Sequence, residues 1–221
     1  MRETTPHGKH EVVAAQEARS IMSEASVEDR MLGGGDHVCP PWIAYMLLNP
    51  LRRWLENPEA VLEGHVRPGD LAVDVGCAMG YFTLPLARRV GREGRVIGVD
   101  LQPAMLEGLR KRASRHGLVD RLELRTCEPD ALGLDDVAGM VDVGLIMHMV
   151  HEAPDAGALF RQLGRAMKPG GRVLFAEPLG HVSGSAFERS LALAREAGFE
   201  VKERLPVRWG RGRLLRKISA G

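Results

Sequence analysis

Residues 71–82 read LAVDVGCAMGYF, an apolar run that breaks into a turn carrying Gly76 and Gly80. A strand that ends in such a turn lets the backbone approach a ligand closely. The dinucleotide fingerprint requires G-x-G-x-x-G so that the chain can close on a pyrophosphate. Here the order is Asp74, Gly76, Ala78, Gly80, or D-x-G-x-x-x-G, without the middle glycine. The stretch therefore marks a nucleotide-type turn that departs from the dinucleotide pattern.

Outward from it, strand and helix patterns alternate. LAVDVG (71–76), RVIGVD (95–100), LELRTC (122–127), VDVGLIM (141–147) and RVLFAEP (172–178) read as strands, with helices expected near 80–89, 103–116 and 155–167. Val, Ile and Leu-rich strands between helices predict a parallel sheet covered on both faces. GREG and KPGG supply turns before the second and fifth strands, and the tail 199–218 reads as two further strands joined through Gly210 and Gly212. The fold class expected is α/β, a Rossmann-like, doubly wound, seven-stranded, mostly parallel sheet with an antiparallel last strand. Three segments follow: a flexible or helical extension over 1–35 ending in three glycines, a helical lid module over 36–58, and the main domain over 59–221.

Composition narrows the function. The 221 residues are 44% hydrophobic and 27% charged, enough for one sizeable core, and a formal net charge of +1 argues against a polyanionic partner. The basic runs at 110–116 and 208–217 read as a solvated helix face and a charged strand edge. Cys39, Cys77 and Cys127 are odd in number and widely spaced, which suits reduced thiols and no metal site. The opening segment reads as neither a signal peptide nor an anchor, and no stretch is apolar for long enough to span a bilayer. The expectation is a cytoplasmic protein with no membrane or nucleic-acid partner.

In a doubly wound sheet the ligand lies at the carboxyl ends of the strands, near the point where strand order reverses. Gly76 and Gly80 fall there. Asp74 is placed to face a cationic amine, directly or through water, and Asp100, twenty residues after Gly80, to accept hydrogen bonds from ribose hydroxyls. Leu101 and Met105 are candidates for an apolar wall.

These residues, with the strand order and KPGG-RVLFAEP, make residues 60–218 resemble the class I S-adenosylmethionine-dependent methyltransferases. The resemblance implies S-adenosylmethionine as cofactor and S-adenosylhomocysteine as product. It implies that Asp74, Gly76, Cys77, Ala78 and Gly80 hold the methionine and ribose parts, that Asp100 with Leu101 takes the ribose side, and that CEPDALG (127–133) is the adenine loop with Glu128 in the acid position. It also places Met147, at the end of the fourth strand, beside the methyl group. Two departures stand out: Ala78 occupies a frequent glycine position, at little cost if its φ is negative, and Pro129 offers no N–H to the adenine.

Methyl transfer needs a nucleophile aligned behind the methyl carbon, water excluded, and a base where the acceptor is a hydroxyl or an amine. His148 and His151 in MHMVHEAPD (147–155), Glu177 at the end of the fifth strand and His181 in the next loop are the candidates; His151 and Glu152 equally suit a helix-supporting role. HVCPPW (37–42) could fold over the pocket, with Cys39 either a site residue or a small buried one. The function expected is methyl transfer to a small-molecule acceptor. The alternatives are a thiol or metalloid methyltransferase using Cys39, and a cofactor-binding partner protein without catalysis.

Overall fold

A computed structural model of the protein describes residues 56–219. The extension 1–35, the lid module up to residue 55, and Cys39 lie outside the described residues. Seven strands form one sheet: β1 (Leu71–Val75), β2 (Arg95–Asp100), β3 (Leu122–Thr126), β4 (Val141–Met147), β5 (Met167–Pro178), β6 (Phe199–Arg204) and β7 (Gly210–Lys217). Their order is β3-β2-β1-β4-β5-β7-β6, with β7 antiparallel to both neighbours and the rest parallel. β1 and β4 are adjacent at the centre, so the reversal of winding, where such sheets bind ligands, lies at their carboxyl ends.

Among the described residues five α-helices cover the sheet. α1 (Pro58–Leu62) starts at Asn57, whose side chain accepts the Glu59 N–H, with Pro58 at the first helical position, where its missing N–H costs nothing. α2 (Thr83–Val90) and α3 (Pro103–Arg115) join it on one face, where Leu84, Leu86, Leu106 and Leu109 pack with Ala72, Val96, Leu145 and Met147. On the other face α4 (Ala156–Ala166) and α5 (Gly184–Glu196) press Phe160, Leu163, Phe187 and Leu191 onto Val73, Val99, Ile146 and Phe175. Adjacent strand residues point to opposite faces and both faces are covered, which is why the central strands β1, β2 and β4 read as mostly apolar. Asp155 and Ser183 cap α4 and α5 by accepting the Ala158 and Ala186 N–H groups.

Two local expectations give way. KPGG lies inside β5, which starts at Met167 and pairs with Val141 before the register shifts between Val141 and Val143. Gly210 and Gly212 sit within β7, and the connection runs over 205–209 instead. The reason is close approach: a Cβ at Gly212 would lie 2.9 Å from both Leu205 and Val207 side chains, and one at Gly210 would lie 2.7 Å from Val207. The glycines let this connection fold back against the strand it feeds.

Candidate active site

The turn after β1 is knitted to the end of β2. Gly76 and Cys77 N–H groups both donate to the Val99 carbonyl, at 2.9 and 3.1 Å, and Gly80 N–H donates to the Cys77 carbonyl. Asp100 closes the arrangement: one carboxylate oxygen accepts from Ala78 N–H at 2.8 Å, the other from Gln102 N–H at 2.9 Å. Each oxygen keeps a second lone pair, so the carboxylate can still accept from a vicinal diol. Burial raises its pKa, and the two backbone bonds oppose that rise.

Asp74 does not face the open side. It is 2% exposed and accepts a 2.6 Å bond from the Thr83 hydroxyl at the start of α2, so it ties β1 to that helix. Burial pushes its pKa up to about 7, with the Thr83 bond opposing. Cys77 is also turned inward: a Cβ at Gly98 of β2 would lie 3.1 Å from its sulfur. Burial raises the Cys77 thiol well above its ordinary value and Cys127 to about 11, so both remain protonated thiols.

Ala78 departs from the condition under which alanine is cheap. Its φ is +44°, in the left-handed region where a Cβ is strained. Gly80 follows at φ +81°, and a Cβ there would fall 2.2 Å from Leu109 Cδ1. The guanidinium of Arg112 donates to the Met79 carbonyl, so one residue of the basic run 110–116 supports this loop.

On the nucleoside side, Leu101 is 40% exposed and available as an apolar wall, whereas Met105 is buried. Glu128 is exposed, and its backbone forms an isolated bridge with Ala131 around Pro129-Asp130. Glu128 and Ala131 N–H groups are consumed in that bridge, and the Glu128 side chain stays exposed.

The end of β4 carries the second half of the site. Met147 is buried in the core, and His148 then takes φ +61°, its N–H donating to Ala176. This left-handed residue reverses the chain and lays Met149 over Gly76, where an added Cβ would meet its side chain at 3.1 Å. The same turn brings His151 onto Glu177. His151 Nδ1 lies 2.6 Å from one Glu177 oxygen and its N–H donates to the other at 3.1 Å. Glu177 is 1% exposed; burial raises its pKa and His151 holds it down. With Nδ1 engaged, Nε2 is the remaining ring nitrogen, 3.8 Å from the nearest Glu152 oxygen and outside hydrogen-bond reach. The exposed His181 ring stands 6.1 Å from that of His151, centroid to centroid.

His148 is held separately. Its Nε2 is 2.7 Å from Glu56, a 6% exposed carboxylate whose carbonyl accepts the Tyr81 hydroxyl at 2.5 Å. Glu56, Met149 and Arg112 carry no sequence signal of their own. Their spacing from the loop becomes short only in the fold. Among the described residues no group of three or more His, Cys, Asp or Glu is arranged to hold a metal ion, and no helix is long and apolar enough to cross a membrane.

Comparison with known proteins shows what the chain is similar to. Residues 72–171 match the family described as "Methyltransferase domain". Over that stretch the chain is similar to S-adenosylmethionine-dependent methyltransferase domains. A demethylmenaquinone methyltransferase of Symbiobacterium thermophilum is 35% identical over 54% of this chain and 47% of its own length. The aklanonic acid methyltransferase of a Streptomyces species is 28% identical over 69% of this chain and 67% of that protein. The chain spans about half the length of the demethylmenaquinone methyltransferases it matches. A methyltransferase from Aquifex aeolicus superposes over 82% of this chain and 100% of its own at a TM-score of 0.73 and 22% identity, a likeness of fold. The residues present fit the cofactor of such methyltransferases: Asp100 has two spare lone pairs for a ribose, and the exposed Glu128 is open for a base.

Proposed function

We propose that this domain transfers a methyl group from S-adenosylmethionine to a small-molecule acceptor, with His151 as general base and Glu177 as the residue that orients it. The carrying observation is the His151–Glu177 pair at the carboxyl end of the sheet, with His151 two residues past Met149, which packs on Gly76 of the turn. A buried carboxylate on Nδ1 fixes the tautomer and leaves Nε2 basic and partly open.

The sulfonium of the cofactor supplies an already activated methyl group, so the chain's tasks are binding, alignment and proton removal. Asp100 holds the ribose hydroxyls, Glu128 accepts from the amino group of the base, and Leu101 covers its apolar face. Gly76, packed against Met149, and Gly80, packed against Leu109, set the path of the loop that Asp100 fastens. The acceptor's hydroxyl or amine gives its proton to His151 Nε2, while Glu177 stabilises the imidazolium that forms. His148, fixed by Glu56, borders the acceptor side.

A small acceptor is supported by the names of the relatives, which act on demethylmenaquinone and aklanonic acid. A protonated Cys77 packed against Gly98 and a protonated Cys127 give no support to thiol or metalloid chemistry in the described region. The test is incubation of the full chain with methyl-labelled S-adenosylmethionine and a metabolite extract, followed by identification of the labelled product. A labelled small molecule that disappears with His151→Ala supports the reading; labelled protein or nucleic acid alone overturns it.

A further inference from the structure

Gln162, on α4, reaches across to the loop after β3. Its Oε1 accepts the Leu132 N–H at 2.8 Å and its Nε2 donates to the Asp130 carbonyl at 2.7 Å. The side-chain amide thus stands in for a strand's peptide group, offering one acceptor and one donor to alternate backbone groups of the loop. Among the described residues no other side chain bonds to the backbone of residues 128–132.

The loop needs such a partner. Its start is fastened where Cys127 N–H donates to the Asp100 carbonyl, and its end where Arg125 donates to the Gly133 carbonyl at 2.7 Å. Leu132 is buried, but Glu128, Pro129, Asp130 and Ala131 are exposed and have only the Glu128–Ala131 bridge between them. Pro129 cannot donate, so the bridge alone does not set the tilt of this four-residue turn. Whatever fixes the turn relative to the sheet also fixes where the Glu128 carboxylate stands.

We propose that Gln162 is the positioning residue of the base subsite: by clamping Asp130 and Leu132 it aims Glu128 at the amino group of the nucleobase and so sets the preference for adenine. This rests on the reading of the site as one for S-adenosylmethionine. The clamp acts from outside the pocket, on a helix that otherwise packs against the opposite face of the sheet from α2 and α3. An amide is required because the two loop groups are of opposite polarity; a carboxylate serves only the Leu132 N–H, and an aliphatic side chain serves neither.

The experiment is calorimetric titration of the full-length chain, as wild type, Gln162→Leu and Gln162→Glu, with S-adenosylhomocysteine and with its inosine counterpart. The inosine compound replaces the amino donor by a carbonyl that repels Glu128. Wild type is expected to prefer the adenosine compound. Gln162→Leu should bind it about tenfold more weakly and bind the inosine compound almost unchanged, so that the preference shrinks toward one. Gln162→Glu, which keeps one of the two bonds, should fall between, and it carries the test if the leucine variant does not fold. Adenosine-compound affinity within twofold of wild type in the variants overturns the proposal. So does an equal loss for both compounds, which marks a merely structural role. If wild type binds neither compound, the reading of the site as a methyltransferase pocket fails first, and visibly apart from the clamp.

Discussion

Replacing Ala78 by glycine should stabilise the domain, while replacing Gly80, two residues on, by alanine should damage it. Ala78 is held at φ +44°, where an L-residue costs roughly 1–2 kcal/mol. Glycine removes that cost but gives back roughly 0.4–1 kcal/mol through its freer unfolded chain. The net gain is about 0.5–1 kcal/mol, and the bond from the residue 78 N–H to Asp100 is untouched because it is a backbone bond. At Gly80 both terms run the other way. Its φ is +81°, and the new Cβ would stand 2.2 Å from a methyl of the fully buried Leu109. Overpacking of about 1–3 kcal/mol adds to the conformational cost, for a loss of roughly 2–4 kcal/mol. Urea denaturation should show Ala78→Gly with a midpoint raised by about 0.3 M and an unchanged slope, and Gly80→Ala with one lowered by about 1 M or more. A destabilised Ala78→Gly, or a Gly80→Ala indistinguishable from wild type, would refute the loop geometry on which the site is built.

Other outcomes follow from the same contacts. Asp74 holds its proton to about pH 7 in the fold but only to about 3.8 unfolded. The folded state therefore binds more protons between those values, and Asp74 lowers stability as pH climbs from about 4 to 7, by at most about 4 kcal/mol. Asp74→Asn should match wild type in urea titrations at pH 4 and exceed it at pH 8; a deficit at pH 8 would be contrary. His151→Ala should lower kcat by about 10² to 10⁴ with cofactor affinity within about threefold of wild type, and Glu177→Gln should lower kcat less and shift the pH profile. Equal activity in steady-state assays of both variants would remove the base assignment. Cys39→Ser should leave turnover unchanged, and its abolition would revive thiol or metalloid chemistry.

The strands were legible because their burial is two-sided. RVIGVD and VDVGLIM match β2 and β4 residue for residue, since nearly every residue between the exposed Arg95 and Asp100, and all but Asp142 in β4, is apolar and buried. KPGG misleads for the opposite reason: β5 absorbs its turn signal through a shift in the pairing with β4. Gly210 and Gly212 carry a turn signal too, yet their function is close approach of chain 205–209, a contact that only tertiary structure creates. At the site, the spacing is enough to put Asp100 and the glycines at the ends of β2 and β1, where the Ala78 N–H joins them. The inward turn of Asp74 is not in the spacing, because it depends on Thr83 meeting it from the next helix. Likewise His151 and Glu177 were separate candidates in the sequence, and their pairing depends on the left-handed His148 between β4 and the following turn.

The central claim is that a ribose is gripped by Asp100 at the end of β2. Titration calorimetry of S-adenosylhomocysteine into wild type and Asp100→Ala tests it. The expected result is saturable one-to-one binding to wild type, weakened at least tenfold, or about 1.4 kcal/mol, by the substitution. No binding to wild type, or equal affinity in a folded Asp100→Ala protein, would contradict it.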